Sequence, residues 1–346
     1  MEPTNLGELL RKLEVKNFEA SYHFYYRLMN NLVNKPTVSG LMRLCNQLQI
    51  PYIELEKRGI FTEHQFPYDL GNPALWKLAA HVINEGSIKK DHGVHYANID
   101  PVLHWYFERC VLEAGGSYEG PDPHRGKVLR SYADALTGRR LTFIGIQCGK
   151  KTIHQPTIDL YRMSDEVWKY YVQATLAEDG FAILGLTENK WLVMHIGWAR
   201  AVDITKHVPA DIISQLKPGD YNLNEIRENY LELYKIMKEH PPKLLIKEHH
   251  EFVRRHINEI PPQLWPEPRP WEVYVSKHRR VTVMWQFLVG SQQAVDLLAT
   301  KYGMLPGTWK DYIFRKQYDF YLKYRGRKLT EAEPKRVHRV KENLQL

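Results

Sequence analysis

The sequence predicts an α+β protein: a pseudo-symmetric pair of αββαββα halves standing behind an N-terminal helical module. Three observations predict it. An order of helical and strand periodicities begins at Asn72 and recurs from Ser164. The opening helix of each round closes on an acid followed by glycine, Glu85-Gly86 and Asp179-Gly180. The composition, 43% apolar and 25% charged over 346 residues, suits an ordinary buried core and excludes wholesale disorder, a collagen-like chain and a coiled coil.

Residues 1–70 read as helical. Apolar residues from Leu9 to Leu32 fall at helical spacings over 6–34. Leu41, Leu44, Cys45 and Leu48 then share a face before Pro51 forces a turn, so 38–57 patterns as a short helix–turn–helix or a plain helical hairpin. Residues 71–163 form the first half. Asn72-Pro73 starts a helix, because Asn caps the orphan amides and Pro suits the first helical position. Strands are expected at 87–90 and 94–99, a helix over 101–114, two short strands within 115–131 and a further helix over 132–146.

Residues 164–315 repeat that order. Ser164 caps a helix with acids in its first turn, and strands follow at 181–186 and 191–202. An insertion over 206–268 reads as helices at 210–216, 223–239 and 244–260. A hairpin of strands 271–276 and 281–288 and a helix over 292–302 complete the half, and 316–346 form a basic tail.

The net charge is +8, and eleven Lys and Arg stand against four acids from Lys310 to Lys341. Tyr312, Phe314, Tyr318, Phe320, Tyr321 and Tyr324 are interleaved with those bases. Such a stretch suits nucleic acid, whose phosphates Lys and Arg neutralise; a final amphipathic helix with its aromatics packed inward explains the same residues structurally. The three cysteines, Cys45, Cys110 and Cys148, lie far apart, which excludes a disulfide scaffold and fits an intracellular setting. Neither a signal peptide nor a membrane span is legible.

The acid–Gly helix ends carry the chemistry. Leu78-Ala-Ala-His-Val-Ile-Asn-Glu-Gly-Ser-Ile88 aligns with Val172-Gln-Ala-Thr-Leu-Ala-Glu-Asp-Gly-Phe-Ala182. Ala80 and Ala174 share a slot, and Ala79 and Ala177 add small side chains that let two helix backbones approach. Glycine after each acid is expected to supply a left-handed turn. Glu85 and Asp179 would then meet at negative helix ends, where two carboxylates call for a cation. Hard oxygens beside water and phosphate describe a Mg²⁺ site able to activate water on a phosphodiester.

These residues resemble the LAGLIDADG family of homing endonucleases. Leu78–Ile88 resembles the family signature directly, in the form LAxxxxxEGSI, and the run from Val172 to Gly180 is a second, more divergent copy with Val-Gln-Ala in place of the opening Leu-Ala-Gly. The family's earlier Asp is replaced by Ile83 and Ala177. The resemblance covers about 72–203 and 268–315. It implies a saddle of two β-sheets lying along double-stranded DNA, in a monomer with internal two-fold symmetry. It implies Glu85 and Asp179 as metal ligands for Mg²⁺, one per half, and a basic residue near each scissile phosphate. Lys151 and Lys310 occupy matching places after the last helix of each half, with Lys150 beside the first.

At the hairpin tip, Lys277, Arg279 and Arg280 would reach phosphates or guanines in a saddle-shaped binder; an exposed charged turn reads them structurally. The run from Gly145 to Lys150 is one residue short of a phosphate loop, His249-His-Glu-Phe-Val-Arg254 lacks the second His of a zinc motif, and 120–126 reads as a turn between strands. The expectation is a site-specific, Mg²⁺-dependent DNA endonuclease. The rivals are a non-cleaving DNA-binding regulator and an RNA-binding intron maturase.

Overall fold

The computed structural model describes residues 70–326 and residue 328. The helices expected over 6–34 and 38–57 lie outside the described residues, as does the tail beyond 328. The first half opens on α1 (Pro73–Asn84), where Asn72 Oδ1 accepts from the Ala74 amide at 2.9 Å and Pro73 takes the first position. Next come β1 (Gly86–Ile88), β2 (Val94–Asn98), α2 (Pro101–Glu113), β3 (Tyr118–Pro123), β4 (Leu129–Ala133) and α3 (Ala135–Phe143). The expected helix over 132–146 starts later than its periodicity indicates. Tyr132 pairs with His95 in the sheet, and the Asp134 carboxylate caps α3 by accepting from the Thr137 amide. The expected turn over 120–126 is also shorter, since Gly120 to Pro123 belong to β3 across a bulge.

The second half repeats the scheme with α4 (Asp165–Glu178), β5 (Gly180–Leu186), β6 (Leu192–Asp203), β8 (Arg269–Val275), β9 (Val281–Val289) and α9 (Gln292–Leu297). Both sheets are antiparallel, ordered β1-β2-β4-β3 and β5-β6-β9-β8-β7, so four strands of the second sheet match the whole of the first. The fifth, β7 (Gly219–Asn222), comes from the insertion, which otherwise forms α5 (Ala210–Gln215), α6 (Leu223–Asn229), α7 (Leu231–Glu239) and α8 (Lys243–His256). The single helix expected over 223–239 breaks at Tyr230, whose φ of −137° is not helical. The insertion is not an appendage: Phe252 of α8 is fully buried, 5.1 Å from the Trp168 ring and 5.8 Å from that of Phe287. Burying a side chain of that size contributes roughly 1.5–3 kcal/mol.

Lys310 lies in the first turn of α10 (Trp309–Tyr324), a helix that continues past residue 316. Phe314, Tyr321 and Tyr324 are buried on it while Tyr312, Arg315 and Lys316 face solvent, so over this stretch the aromatics are largely core.

Gly86 and Gly180 behave differently from expectation. Neither has a positive φ. They are required by proximity instead: a Cβ on Gly86 would stand 2.6 Å from Val82 Cα, and one on Gly180 2.5 Å from Leu176 Cα. The strand leaves each helix so tightly that only hydrogen fits. No described helix is long and apolar enough to cross a membrane.

Candidate active site

The helices α1 and α4 pack against each other with their C-terminal ends together. Ala79, Ala80, Ala174 and Ala177 are all buried. Asn84 and Glu178 occupy the same slot of the repeat, 94 residues apart, and they touch: Asn84 Nδ2 donates to Glu178 Oε2 at 2.8 Å. A residue that bonds its own repeat counterpart marks the pseudo-two-fold axis. The next residues, Glu85 and Asp179, are the helix caps, with nearly identical backbone angles (φ −107°, ψ −8° and φ −98°, ψ −9°). Both are half-buried, and each lies close enough to feel the other's charge.

Two negative helix ends that meet need positive charge, and the lysines provide it symmetrically. Lys151 Nζ donates to the carbonyls of Val82 (3.3 Å), Ile83 (2.7 Å) and Asn84 at the end of α1. Lys310 Nζ donates to the carbonyls of Glu178 (2.6 Å) and Gly180 (3.0 Å) at the end of α4. The Asn84 and Glu178 carbonyls are again equivalent in the repeat. The segment after each half, a turn for Lys151 and the first turn of α10 for Lys310, therefore returns one amine to the end of that half's first helix.

Below the acids lies a buried ion pair. His81 Nδ1 stands 2.5 Å from Glu178 Oε1, its Nε2 2.8 Å from the Tyr170 hydroxyl, and Tyr96 donates to the same Glu178 oxygen at 2.5 Å. Burial opposes charge on His81, but the Glu178 carboxylate overrides it and the imidazole is pushed up to about 10. Beside the acids stands Arg200, 8% exposed on β6. Its Nη1 donates to Asp179 Oδ2 at 2.6 Å and Asn84 Oδ1 at 2.7 Å, and its Nη2 to Glu248 Oε1 of α8 at 2.8 Å. Asn84, Lys151, Asp179 and Arg200 border a cleft of about 200 Å³.

The electrostatics single out Glu85. Burial, then the charges of Asp179 and Glu178, raise its carboxyl to about 7, and Lys151 and Lys310 offset this only in part. Burial likewise raises Asp179, against the pull of Arg200, Lys151 and Lys310. It lowers Lys151 to about 8, and it lowers Lys310 as well. Among the described residues, no side-chain hydrogen bond or ion pair engages the Glu85 carboxylate, whereas Asp179 has given one oxygen to Arg200. A divalent ion could therefore take oxygen from Glu85 and from the remaining oxygen of Asp179, a hard donor set suited to Mg²⁺. No group of three or more His, Cys, Asp or Glu among the described residues forms a metal cluster, so water or phosphate oxygens would complete the shell.

Of the residues singled out from sequence, Glu85, Asp179, Lys151 and Lys310 converge here. Lys150 is exposed. Lys277, Arg279 and Arg280 sit on the β8–β9 turn and take no part in this cluster. Lys277 is exposed, the Arg279 guanidinium donates to the Leu216 carbonyl, and Arg280 lies 4.0 Å from Asp203. Sequence reasoning missed His81, Asn84, Glu178, Arg200 and Glu248. Arg200 was detectable: it is the charged residue at an inward position of the otherwise apolar alternation from Leu192 to Arg200.

No family model and no curated protein matches the chain. Among solved structures it is similar to the LAGLIDADG meganuclease I-AabMI bound to uncleaved DNA, at 12% identity and a TM-score of 0.39, over 78% of this chain and 98% of that one. It is also similar to full-length WhiA from Thermatoga maritima, at 7% identity and a TM-score of 0.34, over 81% of this chain and 69% of that one.

Proposed function

We propose that this chain is a divalent-cation-dependent endonuclease that hydrolyses phosphodiesters in a long double-stranded DNA site, as the LAGLIDADG family it resembles does. The observation that carries the reading is the Asn84–Glu178 hydrogen bond of 2.8 Å, which pins two acid-capped helix ends together at a pseudo-dyad. A duplex has a matching two-fold symmetry between its strands, so one acid and one lysine per strand is the arrangement cleavage needs. The chain supplies both halves itself and would act as a monomer.

Glu85 and Asp179 would hold Mg²⁺, which when bound supplies an activated water and stabilises the leaving oxygen. The residues themselves do the rest. Lys151 and Lys310 are held against helix-end carbonyls, so their positive charge is fixed where phosphate charge would develop. Asn84 and Glu178 keep the two ends in register beneath the acids. The test is supercoiled plasmid carrying candidate sites, incubated with the full chain and Mg²⁺. Linear product that disappears in Glu85→Gln and in Asp179→Asn supports the reading.

A second reading, a DNA-binding regulator that does not cut, is favoured by one observation: Arg200 already neutralises Asp179 at 2.6 Å. Sequence-specific retardation of duplex DNA with no strand cut at any Mg²⁺ concentration would select it.

A further inference from the structure

The two halves share a backbone plan but not a charge plan, and the difference is Arg200. In the sheets Gly86 pairs with Tyr96 and Gly180 with Trp198, so the counterpart of Arg200, two residues on, is Asn98. Asn98 is uncharged, and its side-chain oxygen accepts from the Asp100 amide at 2.9 Å, within its own turn. Among the described residues, no guanidinium pairs with Glu85, the acid of the first half. In the second half Arg200 is fixed from behind by Glu248, fully buried on α8, which also accepts from Tyr171 at 2.5 Å and Trp198 at 2.8 Å. That carboxylate belongs to the insertion over 206–268. Lys151 and Lys310 each bring one amine to a corresponding carbonyl, that of Asn84 and that of Glu178, so both halves carry a lysine and the guanidinium is what sets them apart.

We propose that Arg200 is the resident cation of the Asp179 half, so that the chain binds a single divalent ion, anchored on Glu85, and the insertion exists in part to hold that arginine in place. The proposal rests on the endonuclease reading and makes Arg200 a positioning residue. Two acids of which one is ion-paired to a guanidinium and the other, among the described residues, has no ion-pair partner bind cations unequally, because the ion pair already offsets the negative charge of Asp179.

The test is Mn²⁺ titration of the full chain, followed by electron paramagnetic resonance of the free ion. The wild type is expected to take up one Mn²⁺. Glu85→Gln, a change at a half-exposed position, is expected to weaken uptake by more than about tenfold. Removing Arg200 and Glu248 together, Arg200→Gln with Glu248→Gln, takes away one charge of each sign, uncovers the Asp179 carboxylate and is expected to admit a second Mn²⁺, while Arg200→Lys, which keeps the charge, stays at one. Two equivalent ions on the wild type would overturn the inference and leave the endonuclease reading standing, whereas unchanged affinity in Glu85→Gln would overturn both. No ion bound to any variant, in the presence or absence of duplex DNA, would remove both.

Discussion

Glu85 ionises only near neutral pH, against its surroundings, and that has a measurable sign. Its folded pKa of about 7 lies above the ordinary 4.5, so its contribution to stability is whole below pH 4.5 and is lost as the pH rises through 7. Glu85→Gln should therefore raise the thermal midpoint at pH 8 and leave it unchanged at pH 4. The gain should be roughly 1–3 kcal/mol at pH 8, after discounting for partial exposure. A residue whose removal stabilises the fold is one kept for another purpose. The same ionisation should govern Mn²⁺ uptake, since a proton competes for the ligand below pH 7; affinity at pH 6 should be roughly tenfold weaker than at pH 8. His81 has the opposite value to the fold. Its charge is stabilised by Glu178, so its contribution is whole below pH 6.5 and is lost as the pH rises through about 10. Denaturant melts should show stability falling over that window in the wild type, and a flatter profile in His81→Gln with Glu178→Gln.

At the scale of elements, the candidate site is a junction of two helix C-termini, and its tolerances are steric and electrostatic together. Gly86→Ala and Gly180→Ala each force a methyl to within 2.6 Å of a helix Cα, so α1 and β1, or α4 and β5, must part. Each should cost roughly 1–3 kcal/mol in urea unfolding, the range for overpacking a filled site. Asn84→Asp is the sharper probe of the dyad. It places a second carboxylate 2.8 Å from Glu178 and should destabilise the protein at pH 7, with recovery near pH 4 as the pair shares a proton. If Asn84→Asp were neutral across that range, the two helix ends would not meet as described.

At the largest scale, the described residues form a duplication that one half has elaborated. Both sheets have the same four-strand order, but the second adds β7 at its edge and draws Phe252 and Glu248 of α8 into its interior. Deleting 206–268 should not restore a simple symmetric half. It would strip Phe252 from the ring cluster with Trp168, Trp198 and Phe287 and leave Arg200 buried without Glu248. Loss of the near-ultraviolet circular dichroism of the second half is the expected outcome, and a native spectrum would show the insertion to be peripheral.

Much of this was legible in the sequence because it depends on local periodicity. Asn72-Pro73, Ser164-Asp-Glu and the two acid–Gly steps announce helix starts and stops through backbone chemistry that neighbouring residues dictate, and the 94-residue repeat brought Glu85 and Asp179 into correspondence before any coordinates. Lys151 and Lys310 were candidates through the family resemblance, as one basic residue per half; the helix ends their amines reach were not legible. What the sequence could not carry were contacts between residues distant in the chain. That Asn84 bonds Glu178, that His81 is charged beneath them, that the glycines answer a close approach rather than a left-handed turn, and that Glu248 reaches from an insertion to steady Arg200 all depend on packing, where burial and neighbouring charge set each group's state. Repetition told which residues correspond; only the tertiary structure decided which of two corresponding acids is left free.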